Sequence, residues 1–445
     1  MFKKILVANR GAVAARVLRT LSRLNVPAVA VYSEADANAP YLSAASEAIA
    51  IGAAAPKESY LNQTAIIAAA RQSGCDAIHP GYGFLSENAD FARAVGDAGM
   101  TFIGPSAHHI AALGNKARAR ALAREHGLPV AAGSDRMAPD HPGLQEAAAQ
   151  VGYPLMVKPA GGGGGIGMLP VHDSAGLIAA AQRASSMAQR GFGNPEIYFE
   201  RLILTPRHVE VQIMGDRHGK VRHLFERDCS TQRRNQKIIE ESPAPGIDPE
   251  ALARLCHQVA ASLQRMGYDN IGTVELLLSP DGTFTFLEVN TRLQVEHGVT
   301  EAVTGIDLVE AQLRTAAGES VDHVIRPDLS RFGHAIQARI CAEDPVRFFP
   351  SPGPLTVFRL PQGEGVRVET GYQEGGIVSP YYDSLVAKII VHRPTRAAAI
   401  EGLIAALEQT RIEGIKTNIP ALVKILRSPA FNEGRVHTGL VAATI

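Results

Sequence analysis

A strand–helix alternation at the start of the chain narrows the fold more than any other feature. Lys3 to Ala8 form a short apolar run, and Gly11 opens a helical pattern carried by Val13, Val17, Leu18 and Leu21. Val26 to Val31 form a second β-rich run, and the alternation continues past Asp76–Ile78 to Phe102–Ile103. Strands separated by helices pair through crossovers, which predicts a parallel sheet with helices on both faces. The rest of the chain departs from this rhythm. Lys116 begins an Ala/Arg/Leu helix that stops near Gly127 and Pro129. Residues 152–200 read as strand, glycine loop, strand, helix and strand; 205–320 carry polar motifs on strands; 333–445 open with strands and end with helices. At 445 residues the expectation is two or three domains of mixed α/β and α+β class.

Charge and cysteine usage exclude several function classes. Lys+Arg and Asp+Glu number 44 each, so no global basic field attracts nucleic acid or an anionic membrane. The apolar run Ile5–Ala8 is cut by Asn9 and Arg10 and is too short for a signal peptide, and no run has the length of a bilayer span. Cys75, Cys229, Cys256 and Cys341 lie far apart without metal-type spacing, which points to a reduced, cytoplasmic setting.

The most informative chemistry lies in residues 286–297. Its first half alternates with the pleat, so Glu288 and Asn290 share one face and Leu287 and Val289 the other. A carboxylate beside an amide oxygen suits a hard cation such as Mg²⁺ held against nucleotide phosphates. Arg292, Gln294 and Glu296 follow at alternate positions and supply an anion-binding cation, a polar positioner and a candidate base. Within the apolar segment 272–277, Glu275 would be costly to bury unless it met a cation. Pairing it with Glu288 across adjacent strands gives two acids for one or two metal ions.

Three other segments carry weaker signals. After the strand-like Leu155–Val157 comes Lys158 and then five consecutive glycines, Gly161 to Gly165, whose N–H groups could close over ATP phosphates. Pro170 and the lack of a following Lys-Ser or Lys-Thr argue against a dinucleotide fingerprint and a P-loop. In 226–241, Arg233, Arg234 and Lys237 could neutralise phosphate or bicarbonate, although a solvated charged loop fits the same composition. His79 to Asn88 form a turn-rich loop after a strand, either a ligand loop or a structural turn. Cys229, inside the charged segment, reads as a small buried filler rather than a nucleophile.

Taken together, these motifs resemble biotin carboxylase, the ATP-grasp component of biotin-dependent carboxylases, over the entire chain. The matching runs are residues 7–11, 79–88, 102–106, the glycine flap, 226–230, 287–297, 342–345, 379–383 and 414–418. The resemblance implies an ATP-grasp fold with a Rossmann-like N-terminal domain over 1–114 and an ATP-grasp domain over 115–330. It further implies a mobile glycine-rich lid at about 131–203 and a C-terminal domain over 331–445. It also implies a homodimer, with biotin carboxyl carrier protein and carboxyltransferase subunits as partners. The implied cofactors are ATP with Mg²⁺ or Mn²⁺, and biotin is a carrier-linked substrate. An acetyl-CoA or acyl-CoA carboxylase, hence fatty acid biosynthesis, is the favoured setting, and a urea-type carboxylase is the alternative. The chain ends at Ile445 without an Ala-Met-Lys-Met-type biotinylation site, so biotin is expected on another polypeptide or domain.

The same resemblance assigns residues. Lys116, Lys158, Gly164, Gly165, Glu200, Arg201, Ile203, His208, Gln232, Asn235, Glu275 and Glu288 match ATP-binding positions. Glu275, Glu288 and Asn290 match the metal ligands. Lys237, Arg292 and Val295 match the bicarbonate site, Glu296 its general base, and Arg339 the arginine facing the biotin ureido oxygen. The implied chemistry is deprotonation of bicarbonate by Glu296, attack on the γ-phosphate to form carboxyphosphate, and transfer of the released CO₂ to biotin.

Several positions depart from the family pattern. Ala12 stands for a usual Glu, Asn115 for Asp, Ile166 for Arg and Arg201 for Lys. Asn235 stands where acetyl-CoA carboxylase subunits often have His, and Gly298 replaces a usual Pro; both resemble urea-type enzymes. None removes a metal ligand, the base or either key arginine, so activity with altered nucleotide handling is expected. The rival readings are another ATP-grasp ligase acting on a free small molecule and a weakly active homologue that docks a carrier protein.

Overall fold

The computed structural model describes residues 1–160 and 167–445, and Phe192 by its backbone alone. The chain groups into two compact units. The first comprises Met1–Ala119, Arg207–Glu275 and Glu288–Ile445, and the second Arg120–Pro206 and Leu276–Leu287.

The first unit opens with β1 (Ile5–Val7), α1 (Gly11–Arg23), β2 (Ala28–Tyr32), β3 (Glu47–Ala50), α2 (Gln63–Gln72), β4 (Ala77–His79), α3 (Ala89–Asp97) and β5 (Thr101–Phe102). The strands form one sheet in the order β3-β2-β1-β4-β5, and every pair is parallel. Period-two alternation divides β1 between two cores. Ile5 and Val7 pack with Val13, Val17 and Leu21 of α1, while Leu6 faces Ile66 and Phe91 on the opposite side. The motif at 7–11 has a structural reason. The Asn9 amide donates to the carbonyls of Pro80 and Tyr82 at 2.7 and 2.8 Å, which pins the 79–88 loop. Arg10 pairs with Asp36 at 2.6 Å and lies 4.1 Å over the Tyr382 ring. Gly11 starts α1 at φ +63°, a conformation that favours glycine. Helix α4 (Ala107–Gly114) follows, and Lys116 begins α5 (Lys116–Glu125) as expected.

The second unit holds α6 (Leu144–Val151), β6 (Leu155–Pro159), β7 (Leu169–Val171), α7 (Leu177–Phe192) and β8 (Ile197–Arg201). Its antiparallel sheet runs β7-β6-β8. Leu155 and Val157 of β6 and Ile197 and Phe199 of β8 pack on Leu177, Ala181 and Ala184 of α7. The glycine run Gly161–Gly165 and Ile166 lie outside the described residues.

Onward along the chain come β9 (Arg207–Gly215), β10 (Val221–Arg233), β11 (Gln236–Ser242), α8 (Pro249–Arg265), β12 (Ile271–Leu278), β13 (Phe284–Asn290), α9 (His297–Thr304), α10 (Leu308–Ala316), β14 (His334–Cys341), β15 (Val366–Thr370), β16 (Leu385–Arg393) and α11 (Arg396–Gln409). These strands form an eight-stranded sheet in the order β13-β12-β9-β10-β11-β14-β16-β15. One face is covered by α11, where Ile400, Leu403 and Leu407 meet Ile336, Ile340 and Ile389.

Two points left open by the sequence are decided by the fold. Residues 226–241 are not a solvated loop but the β10–β11 hairpin, turned by Arg234 (φ 48°) and Asn235 (φ 67°). Two successive positive φ angles are what a tight hairpin needs, and Asn tolerates them better than most residues. Arg292, Gln294 and Glu296 lie beyond the strand formed by the first half of 286–297. Strand β13 ends at Asn290, the Thr291 N–H turns to the Glu87 carboxylate at 3.2 Å, and Glu296 is the N-cap residue of α9.

Candidate active site

Three strands of the large sheet each deliver one ionic side chain to a common point. Lys237 projects from β11, Glu210 from β9 and Glu275 from β12, and Glu296 joins them from the start of α9. The Lys237 ammonium donates to Glu210 Oε2 at 2.6 Å, Glu275 Oε1 at 2.7 Å and Glu296 Oε1 at 2.7 Å. Burial opposes the ammonium charge, but the three carboxylates outweigh it and hold the lysine pKa well above its ordinary range. Without Lys237, three buried anions would face one another at high electrostatic cost.

Glu296 is fully buried and bridged by two cations: Oε1 takes Lys237 and Oε2 takes the Arg339 Nη2 at 3.1 Å. Burial would raise its pKa, yet Lys237, Arg339 and Arg227 prevail and hold it well below the usual carboxylate range. The Arg227 guanidinium, wholly buried, donates to Glu210 Oε1 at 2.6 Å, to Gln212 and to Thr300. Glu275 is likewise held ionised, since Lys237 and His208 outweigh its burial. His208 Nε2 lies 3.0 Å from Glu275 Oε2, and the amides of Asn290 and Gln294 donate to Oε1 at 2.8 and 3.1 Å.

Arg292 spreads its guanidinium over Glu87 Oε2 (2.8 Å), Gln294 Oε1 (2.7 Å) and Asn290 Oδ1 (2.7 Å). The Val295 carbonyl accepts from the buried Lys388 ammonium at 2.8 Å. Gln232 donates to the Cys229 carbonyl at 2.8 Å and contacts His208 Nδ1 at 2.9 Å. Asn235 is exposed at the hairpin tip. Glu288 is set apart from the Lys237 cluster: its carboxylate, about a third exposed, pairs with Lys116 Nζ at 3.2 Å. Cys229 is completely buried with its thiol pushed well above the ordinary range by burial, which leaves no thiolate for nucleophilic work.

In the second unit, Lys158 Nζ reaches Glu200 Oε1 at 2.6 Å, and Arg120 also pairs with Glu200. Arg201 is exposed at the end of β8 and Ile203 is half-buried just beyond it. Gly164 and Gly165 lie outside the described residues.

Glu210, Arg227, Glu240 and Glu87 take part in this network and were not singled out from the sequence. For Glu210 a signal existed. His208 to Gln212 places an acid inside an apolar alternation, the same pattern that marked Glu275. Arg227 and Glu240 offered none, because their partners lie on other strands.

The donor set fits a hard divalent cation. Glu275 and Glu288 on neighbouring strands and the Asn290 amide oxygen are donors of the kind such a cation takes; in this structure these oxygens are engaged by Lys237 and His208, by Lys116 and by Arg292.

Comparison with known proteins agrees with this chemistry. Residues 1–110 match the biotin carboxylase N-terminal domain, 115–324 the ATP-binding domain of the carbamoyl-phosphate synthase L chain, and 337–443 the biotin carboxylase C-terminal domain. Biotin carboxylase 2 of Bacillus subtilis is 48% identical over 438 residues, covering 98% of both chains. The crystal structure of a Campylobacter jejuni biotin carboxylase in a β-γ-ATP complex superimposes with a TM-score of 0.94 at 41% identity, covering 100% of this chain and 99% of that one. The biotin carboxylase domain dimer of Hydrogenobacter thermophilus 2-oxoglutarate carboxylase, solved with MgADP, ADP and bicarbonate, gives a TM-score of 0.93 at 40% identity, covering 100% and 98%. The fold is therefore that of an ATP-grasp ligase. Within that class, the chain belongs to the biotin carboxylase family.

Proposed function

We propose that the protein carries out the first half-reaction of a biotin-dependent carboxylase, the ATP-dependent carboxylation of biotin with bicarbonate, forming ADP. The observation that carries this reading is the Glu296 carboxylate held between Lys237 at 2.7 Å and Arg339 at 3.1 Å. A buried base flanked by two cations suits an anionic substrate that must lose a proton.

We assign Lys237, Arg292 and the Val295 backbone to bicarbonate. Glu296 accepts its proton. A carboxylate clamped by two cations is a weak base, so the incoming anion must take over one of them. Competition for Lys237 or Arg339 restores basicity to Glu296 at the moment bicarbonate is seated. Arg339 then presents its guanidinium to the biotin ureido oxygen and offsets negative charge there. Lys116, His208, Gln232 and Asn235 are proposed as nucleotide-binding residues, and Lys158, Glu200, Arg201, Ile203, Gly164 and Gly165 are proposed as such on the strength of the family pattern. Glu275, Glu288 and Asn290 would hold Mg²⁺, which when bound polarises phosphoryl oxygens and neutralises charge.

We propose a carrier protein bearing biotin and a carboxyltransferase as partners, with an acetyl-CoA or acyl-CoA acceptor favoured and urea as the alternative. A homodimer, and a division at 1–114, 115–330 and 331–445, belong to the same proposal. Among the described residues no helix is long and apolar enough to cross a membrane; we propose a cytoplasmic setting. ATP hydrolysis measured with bicarbonate and biotin supplied together and separately tests the function. Turnover requiring both supports it, and turnover indifferent to biotin overturns it.

A further inference from the structure

Glu240 is fully buried on β11, in a part of the site to which no role has been given. In the antiparallel ladder it stands opposite Gln337 of β14, two residues before Arg339. Three groups face it. The Arg339 Nε donates to its Oε1 at 2.5 Å, Gln337 Nε2 donates to its Oε2 at 3.0 Å, and Glu296 lies on the far side of the same guanidinium. Arg339 is thus shared unequally between two acids, through Nε at 2.5 Å to Glu240 and through Nη2 at 3.1 Å to Glu296.

We propose that Glu240 is the positioning residue of Arg339, a fixed anchor that leaves the outer edge of the guanidinium free to exchange Glu296 for a substrate oxygen. This rests on the reading of Arg339 as the biotin-facing arginine. The fork geometry of arginine makes the division of labour possible, because the Nε edge and the outer Nη can serve different acceptors at once. When an oxygen ligand competes, the longer contact to Glu296 yields before the shorter one to Glu240. Release from Glu296 also frees that carboxylate to act as a base, so one movement serves both steps. Without the anchor, Arg339 would turn both its donor edges to Glu296, withdrawing from substrate and weakening the base together.

A kinetic double-mutant cycle on the full chain tests this with free biotin as the probe. E240Q removes the charge and keeps the shape. Its new amide hydrogens have a waiting acceptor, since the buried Gln337 Oε1 has no hydrogen-bond partner among the described residues. We expect E240Q to lower kcat/KM for biotin about tenfold, the scale of one charged hydrogen bond. In an Arg339→Ala background the same change should have less than about a twofold effect. E240D, which keeps the charge, should recover part of the loss, and it replaces E240Q in the cycle if thermal melts show that E240Q is poorly folded. Equal effects of the Glu240 change in both backgrounds would make Glu240 a merely structural residue and overturn the proposal. If Arg339→Ala alone left the biotin kinetics unchanged, the reading of Arg339 would fall and this proposal with it, an outcome visible before the cycle is closed.

Discussion

Lys237 Nζ and Glu296 Oε1 lie 2.7 Å apart, the one from a sheet strand and the other from a helix start 59 residues further along the chain. This ion pair ties the candidate base to the cation that also holds Glu210 and Glu275. A change at any of the four alters the others.

Glu296→Gln keeps size and much of the hydrogen bonding but cannot take a proton. Turnover with bicarbonate should fall about 10²-fold or more, the usual scale for a general base. ATP affinity by isothermal titration should hold. A collapse of ATP binding would instead make Glu296 a nucleotide residue.

Glu288 differs from Glu275 in being partly exposed, with Lys116 as its ion-pair partner. Glu288→Gln should therefore leave the fold intact by circular dichroism. Loss of metal-based charge stabilisation should lower turnover by orders of magnitude, on the order of 10²-fold or more. Full activity with an unchanged Mg²⁺ dependence would rule out a ligand role.

His79 and His297 are completely buried, and burial lowers their pKa values to about 3 and about 4 from the ordinary 6.5. Between pH 6.5 and 4 the unfolded chain binds protons that the folded chain refuses. Stability should therefore fall as pH drops through that window, by about 1.4 kcal/mol per pH unit for each group. Urea titrations at several pH values check this, and His297→Asn should flatten the slope by one group's share.

Gly298 stands in the first turn of α9. A Cβ there would lie 2.4 Å from Cδ1 of the buried Ile390. Gly298→Ala should destabilise by roughly 1–3 kcal/mol through overpacking, less the ~0.5–1 kcal/mol that alanine gains over glycine in a helix. Ile390→Val removes the offending Cδ1, so the double variant should melt above Gly298→Ala alone. Equal melting temperatures would mean that the pocket relaxes without help.

Much of this was legible along the chain, and the reason is periodicity. The parallel pairing of the N-terminal sheet followed from strands that alternate with helices. Glu275 stood out because a carboxylate in an apolar strand must meet a cation, and it meets Lys237. Glu296 stood out as a candidate base by its alternate position after Arg292 and Gln294, while its link to bicarbonate and the role proposed for Arg339 came from whole-chain resemblance, since neither spacing nor composition marks a ureido contact.

What the tertiary structure alone decided is which faces meet. Arg339 and Glu240 are 99 residues apart and become partners because β11 and β14 pair in one register. Glu210 and Lys237 meet across strands β9 and β11, which flank β10. Just past the end of β13 at Asn290, the Thr291 N–H donates to Glu87, a residue from the N-terminal loop. Periodicity along one element reports which side is buried, a local property of side-chain spacing. The neighbours on that side are chosen by the free energy of packing all elements at once, and that is a property of the folded chain.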